Sequence, residues 1–315
     1  MGDRPLHVTR RTLMTEHVHD RLDAAFDEHS IGRQLHAVPP HEVCEVRVDG
    51  QHAVYKGDTG PTGSASTEGR VTRFVGEYTT VPVPDVLSVG GDYFVAAWHP
   101  DAPAPDGDQR ADEPWARAAG SGIAILHEET AAHLDGYGSL QFEDETPHAV
   151  KSDWRAAAIA YVRRRRPLLA DHGHADVADA VLDALRANSG LFGNAGDPVC
   201  CHGWWSPEHV AVEGGDVTCV VDFEHAIAAP AGFDYWRTVL SVFDGDTPQR
   251  AFRDGYERVR PLPEDFDRQQ SLYAVLHTVY FFESLYVQNQ HGPDATASHA
   301  NALRDHVFEA LSGLD

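Results

Sequence analysis

Residues 200–225 constrain the fold of this chain more than any other stretch. They read Cys-Cys-His-Gly-Trp-Trp-Ser-Pro-Glu-His-Val-Ala-Val-Glu-Gly-Gly-Asp-Val-Thr-Cys-Val-Val-Asp-Phe-Glu-His. His202-Gly203 opens a turn, and Pro207 follows in the loop. A short apolar run, Val210 to Val212, ends at Glu213-Gly214-Gly215-Asp216, a hairpin turn. A second apolar run, Val217 to Val221, then delivers Asp222. The pattern predicts a loop, two antiparallel strands and a carboxylate at the exit of the second.

Around this block the periodicities divide the chain. Apolar positions Leu13, Val18, Leu22 and Phe26 predict a helix over 12–28. Three strand-like runs follow, 33–38, 42–48 and 52–56, the last two joined by Asp49-Gly50, a hairpin signal. A Gly/Ser/Thr-rich linker over 57–67 leads to a helix with Glu68, Val71, Phe74 and Val75 on one side. Pro82 and Pro84 stop it. Two more strands, 85–89 and 93–98, flank the Gly90-Gly91 turn. The Pro/Asp-rich segment 99–114 reads as an exposed connection. From Trp115 onward the pattern is largely helical, with helices over 115–127, 151–170, 173–188, 231–243, 248–259, 264–289 and 297–313.

Five strands with one helix, followed by a mostly helical half, define an α+β bilobal plan. The segment 200–225 resembles the catalytic segment of the aminoglycoside phosphotransferase/choline-kinase-like family, relatives of the protein kinases. That segment usually reads His-Gly-Asp, four residues, Asn, a hairpin, then Ile-Asp-Trp/Phe-Glu. The resemblance implies a protein-kinase-like fold, with a small five-stranded N-lobe carrying one helix and a larger, mainly helical C-lobe. The implied organisation is an N-terminal helical extension over 1–32, an N-lobe over 33–98 that binds nucleotide, a connecting segment over 99–114, and a C-lobe over 115–315 holding the hairpin block 200–225.

The same resemblance assigns roles. Phosphoryl transfer needs positioned charge more than covalent chemistry. Lys56, ending the third strand, falls where the family holds nucleotide phosphates; the alternative is a solvated lysine. It is one of two lysines in a chain that otherwise uses arginine, and the two cations are not interchangeable at a phosphate. Glu68 falls where the family pairs that lysine, or is a favourable first-turn charge. Ala96 and Trp98, in Phe94–Trp98, fall on the hinge whose backbone faces the adenine, or simply on a core strand. Asp222 matches a metal position and suits Mg²⁺, a hard cation preferring oxygen. Asp234 matches a structural aspartate that bonds backbone amides near the catalytic loop, and His202 a histidine that props it.

Two positions depart from the family. Trp204 stands where the catalytic base belongs, and an indole nitrogen only donates. His209 stands where a metal-binding Asn belongs, and imidazole suits zinc or copper better than Mg²⁺. The loop Pro39-Pro40-His41-Glu42 also lacks the glycines that let amides approach phosphates, and Glu42 adds repulsion. Glu208 and Glu224 are candidate substitutes for the base. The implied function is ATP- or GTP-dependent phosphoryl transfer, with Mg²⁺, to a small-molecule hydroxyl through an altered site. The alternative is a catalytically inactive, pseudokinase-like module acting through a protein partner. A third reading is an unrelated metalloenzyme using Cys200, Cys201, His202 and His209, though Cys-x-x-Cys spacing is absent.

Charge and hydropathy set the outer bounds. With 49 acidic and 25 basic side chains, the net charge of −24 argues against nucleic acid or an anionic membrane as partner. It fits a halophilic, cytoplasmic protein with carboxylates holding a hydration layer, or an acidic mesophilic one. No apolar stretch approaches the ~20 residues that span a bilayer. The four cysteines are sparse and irregularly spaced, which reads as cytosolic free thiols. Arg163 to Arg166 form either an anion patch or a solvated helix face. Trp236, Tyr280, Phe281, Phe282 and Tyr286 are either core or an aromatic acceptor wall.

Overall fold

The computed structural model describes residues 17–104, 109–193 and 195–314. Among them the helix expected over 12–28 is present at 17–23 (α1), and its earlier part lies outside the described residues. Strands β1 (His29–His36), β2 (His41–Val48), β3 (Gln51–Asp58), β4 (Val86–Val89) and β5 (Tyr93–Ala97) form one antiparallel sheet in the order β1-β2-β3-β5-β4. The first strand thus begins four residues before the expected lobe boundary at 33. Asp49-Gly50 is the two-residue turn between β2 and β3, with φ of 47° and 80°. Both residues are left-handed, as the twist of a tight hairpin demands.

Helix α2 (Ala65–Tyr78) packs on the sheet through Ala65, against Phe94 and Ala96 of β5, and also reaches the helical half. Its buried Val71, Phe74 and Val75 belong to the large core of the helical half, together with Trp115, Ile123 and Val220. The sheet closes a separate small core of Val18, Leu22, Val46, Val48, Ala53, Tyr55 and Val95. Burying a large apolar side chain contributes about 1.5–3 kcal/mol. The helix therefore bridges the two halves and brings Glu68 between β3 and the segment that carries Asp222.

The helical half contains α3 (Glu113–Thr130), α4 (Trp154–Asp171), α5 (Ala175–Ala187), α6 (Gly232–Val242), α7 (Asp246–Glu257), α8 (Gln270–Gln288) and α9 (Pro293–Ser312). It also contains strands that the periodicity did not show. β6 (Tyr137–Glu143), β7 (Thr146–Lys151), β8 (Pro198–Cys201) and β11 (Ile227–Pro230) make a four-stranded sheet in the order β7-β6-β11-β8. The predicted hairpin is present as β9 (Val210–Glu213) and β10 (Asp216–Val220). Its turn residues Gly214 and Gly215 have φ of 64° and 94°, values that cost glycine nothing.

The arginine run is not an anion patch. Arg165 is buried with its Nε 2.8 Å from Glu283, and Arg166 makes two bonds to Asp179 at 2.7 and 2.8 Å. Arg163 and Arg164 face solvent on α4. All four cysteines are buried free thiols.

Candidate functional site

The site is assembled from β3, α2 and the β10 exit. Asp222 follows β10 in left-handed backbone, φ 69° and ψ 61°, a conformation that costs a non-glycine residue roughly 1 kcal/mol. This kink turns the chain out of the hairpin toward β3 and α2. There Lys56 Nζ lies 2.8 Å from Asp222 Oδ1, 2.8 Å from Glu68 Oε2 and 3.2 Å from Glu224 Oε2. Lys56, Glu68 and Asp222 are thus brought together from distant parts of the chain.

The electrostatics of this cluster are mutual. Burial opposes the Lys56 ammonium, yet Asp222, Glu68 and Glu224 outweigh it and raise its pKa well above the ordinary value. Burial likewise pushes Asp222 up, but Lys56 and His209 pull its carboxyl well below the usual range. Glu68 behaves differently. Burial lifts its carboxyl to about 7 despite Lys56, with repulsion from Asp222 and Glu224 adding to the rise. One ammonium does not fully compensate three buried carboxylates.

Two imidazoles complete the compensation. His209 presents Nε2 to Asp222 Oδ2 at 3.2 Å and donates from Nδ1 to the Trp204 carbonyl at 3.1 Å. With an acceptor on each nitrogen its protonated form is favoured, and its pKa is raised against the effect of burial. His41 stands 2.9 Å from Glu224 Oε2 and 3.0 Å from Asp58 Oδ1. Burial and Lys56 oppose its charge, but the bond to Glu224 together with the charges of Glu224 and Glu68 outweighs them and its pKa is also raised. His41 opens β2, and no local signal marks it as part of this cluster. Glu42 does not point toward this site: its side chain is buried 3.9 Å from Arg21.

These shifts have a consequence for stability. The folded pKa of His209 lies above the ordinary 6.5, so the stability from its ion pair is complete below pH 6.5 and lost as pH rises through the folded value. We expect the melting temperature of the wild type to fall from pH 6.5 upward and that of His209→Asn to fall less steeply. Identical alkaline limbs would mean that the imidazole is uncharged in the fold.

The loop preceding the hairpin is held by Asp234. Its Oδ2 accepts from the His202 amide at 2.6 Å and its Oδ1 from the Gly203 amide at 2.8 Å. Burial raises its pKa, but His127 and His202 outweigh this and the carboxyl is lowered. His202 donates from Nε2 to the Val221 carbonyl at 2.9 Å and accepts at Nδ1 from the Trp204 amide at 3.1 Å. Burial drops its pKa to about 4, so the neutral tautomer is fixed. Gly203 has φ 85°, and a Cβ there would strike the His225 carbonyl; only glycine fits. These bonds span β8, the loop and β10, and set where residue 204 sits.

Trp204 is half-buried, its ring 5.0 Å from the Arg237 guanidinium carbon and edge-on to Phe281 at 5.8 Å. Glu208 is exposed and stands outside the charge cluster. Glu224 is inside it; its Oε1 lies 2.9 Å from His225 Nε2, which is 2.8 Å from the Tyr280 hydroxyl. Ala96 lies mid-sheet, opposite Val54 on one side and Val86 on the other. The Trp98 amide donates to the His52 carbonyl at 2.9 Å, and its ring stacks on His52 at 4.4 Å. The structure does not gather Cys200, Cys201, His202 and His209 as metal ligands. Cys201 instead faces the buried His127 and Asp234, whose oxygens are already engaged.

Three comparisons relate this chain to known proteins. The model of the phosphotransferase enzyme family matches residues 46–268. No curated protein matches the sequence significantly. Among solved structures, a putative fructosamine-3-kinase from Thermobifida fusca superposes with a TM-score of 0.65 at 18% identity, covering 93% of this chain and 98% of that one. Aminoglycoside phosphotransferase APH(4)-Ia, in a ternary complex with ADP and hygromycin B, gives 0.64 at 14% identity, covering 94% and 98%. Macrolide 2'-phosphotransferase MphH from Brachybacterium faecium gives 0.56 at 18%, covering 91% and 97%. No helix among the described residues is long and apolar enough to cross a membrane.

Proposed function

Because the chain belongs to the phosphotransferase enzyme family, we propose that it transfers the γ-phosphoryl group of ATP or GTP to a hydroxyl of a small molecule, through an altered active site. The observation that carries this reading is the convergence of Lys56, Glu68 and Asp222 within 2.8 Å contacts. A lysine fixed by a helix carboxylate, facing a carboxylate at a strand exit, is what holding nucleotide phosphates and their cation requires. The nucleotide-bound state of APH(4)-Ia, which shares the fold, points the same way.

The residues present fit a magnesium nucleotide in part. Asp222 and Glu224 offer hard oxygen donors, whereas His209 offers nitrogen, which suits Mg²⁺ poorly. Bound Mg²⁺ would supply charge neutralisation for the transferring group. Lys56 would hold phosphate oxygens, Glu68 would fix Lys56, and Ala96 and Trp98 at the end of β5 would lie along the base. In the transfer, the acceptor oxygen bonds to the γ-phosphorus while the bond to the bridging oxygen breaks. The nucleoside diphosphate leaves, and the hydroxyl proton passes to a carboxylate or water. Trp204 cannot take that proton. Of the two substitutes, Glu208 lies in solvent, and Glu224 has its basicity lowered, since Lys56, His225 and His41 outweigh burial and Asp222. The chain's own groups therefore orient the acceptor without a strong base.

A second reading, an inactive binding module, is favoured by one observation: His209 and Lys56 already neutralise both oxygens of Asp222. Thermal-shift measurements with ATP and GTP, with and without Mg²⁺ and in low and molar KCl, separate the readings. We expect a Mg²⁺-dependent rise in melting temperature that Asp222→Asn removes, together with γ-phosphate transfer into a pool of hydroxylated metabolites. A shift without transfer selects the binding module. No shift with either nucleotide sinks the transferase reading and leaves a module that acts through a protein partner.

A further inference from the structure

Arg237 is the buried cation that the proposed reaction does not use. It sits on α6, is 2% exposed, and has no carboxylate within 4 Å among the described residues. In a chain with 49 acidic side chains this isolation is unusual in kind, and the other buried arginines show the contrast. Arg21 pairs with Asp92, and Arg165 lies 2.8 Å from Glu283. The Arg237 Nε and Nη2 groups have no hydrogen-bond partner among the described residues. Leaving charged donors buried and unmet costs several kcal/mol.

What surrounds the guanidinium is aromatic. Its carbon is 4.0 Å from the centre of the Tyr280 ring, 5.0 Å from Trp204 and 5.6 Å from Phe281. Such contacts return about 0.5–2 kcal/mol each and supply no acceptor for the open N–H groups. The nearby titratable groups, His225 and His277, are kept neutral, mainly by burial and further by Arg237. Two of these rings, Trp204 and Phe281, are only half-buried. Trp204 stands on the catalytic loop, and Phe281 also lines a cavity of 390 Å³ between α8 and α9, with Leu285, Leu303 and Gln288.

We propose that Arg237 is the anchor of a binding site for a carboxylate carried on a flat, apolar body. Arginine's planar fork matches a carboxylate in two parallel bonds. Trp204 and Phe281 stack on the body, and Gln288 lies at the cavity that receives its far end. The site stands on its own whether or not phosphoryl is transferred. That the anion belongs to the acceptor rests on the proposed transferase reading, since Trp204 occupies the base position.

The probe is 4-(hydroxymethyl)benzoate, with 4-(hydroxymethyl)benzamide as its neutral isostere. Titration of the full chain, followed by calorimetry and tryptophan fluorescence without nucleotide, should show saturable binding of the benzoate at least about 10-fold tighter than the amide. Arg237→Met should abolish that preference, and Arg237→Lys should weaken benzoate binding by about 10-fold. Equal binding of acid and amide, benzoate binding undiminished in Arg237→Lys, or no saturable binding overturns the site. The lysine variant keeps the test decisive if Arg237→Met fails to fold. Transfer of phosphate to the probe is read separately: binding without transfer leaves the site intact and counts against the transferase reading.

Discussion

Trp204→Asp raises the rate of phosphoryl transfer to a hydroxylated acceptor by about 10²-fold, the lower part of the 10²–10⁴ range that a positioned base supplies. The lower part applies because the new carboxylate would face Arg237, whose guanidinium is 5.0 Å from the ring it replaces. An adjacent cation depresses a carboxyl's pKa and weakens it as a proton acceptor. The same pairing protects the fold, since it gives Arg237 the carboxylate it lacks. Loss of the half-buried indole contacts with Arg237 and Phe281 works the other way, so stability should change little. Phosphoryl transfer passes through a loose transition state, in which orienting the attacking oxygen counts for more than removing its proton early. Trp204→Asn is therefore the informative control, because it accepts a hydrogen bond without accepting a proton. Initial rates with radiolabelled γ-phosphate decide the matter. Aspartate raising the rate well above both asparagine and wild type would identify position 204 as the vacant base position of a working site. No rise in Trp204→Asp, or in the double variant Trp204→Asp/His209→Asn, would show that the loop does not present residue 204 to an acceptor.

How much of this was readable in the sequence depends on the range of each interaction. The hairpins at Asp49-Gly50 and Gly214-Gly215 announce themselves, because their residue types meet the left-handed backbone they adopt. Lys56, Glu68 and Asp222 were each placed by strand and helix patterning together with the family resemblance, and they meet as that resemblance implied. The β6–β7 hairpin was hidden because its turn uses Asp144 and Glu145, both at positive φ, with no glycine to mark it. β8 and β11 are four residues long and buried throughout, too short to show a period. The role of His41 depends on carboxylates from β3 and from beyond β10, so only the folded chain reveals it. Arg237 is one arginine among many until the absence of a partner around it can be seen. Of the aromatic residues that could be core or wall, Trp236, Tyr280 and Phe282 are core, while Phe281 is shared between the loop and the cavity.

Lys56→Met destabilises the protein by about 3–5 kcal/mol near pH 8, the cost of removing one partner from a buried ion pair. The methionine preserves the apolar stem of the side chain, so the loss reports on charge. Glu68, Asp222 and Glu224 are then compensated by His41 and His209 alone. The effect must depend on pH. Glu68 holds its proton up to about 7 even beside the ammonium, and without Lys56 its carboxyl rises further. At pH 5.5 the variant's Glu68 is neutral and His41 and His209 are charged, so fewer negative charges are left unmet. A raised carboxyl pKa means that the folded state binds the extra proton, so the variant's stability is retained at low pH and lost as pH rises through that value. Denaturant unfolding at pH 5.5 and pH 8 should therefore show a larger deficit at pH 8. Lys56→Met/Glu68→Gln, which removes one of the uncompensated charges, should recover part of the loss at pH 8 and little at pH 5.5. Equal deficits at both pH values would mean that the ammonium is not what balances this cluster, and the nucleotide-holding role built on its position would fall with it.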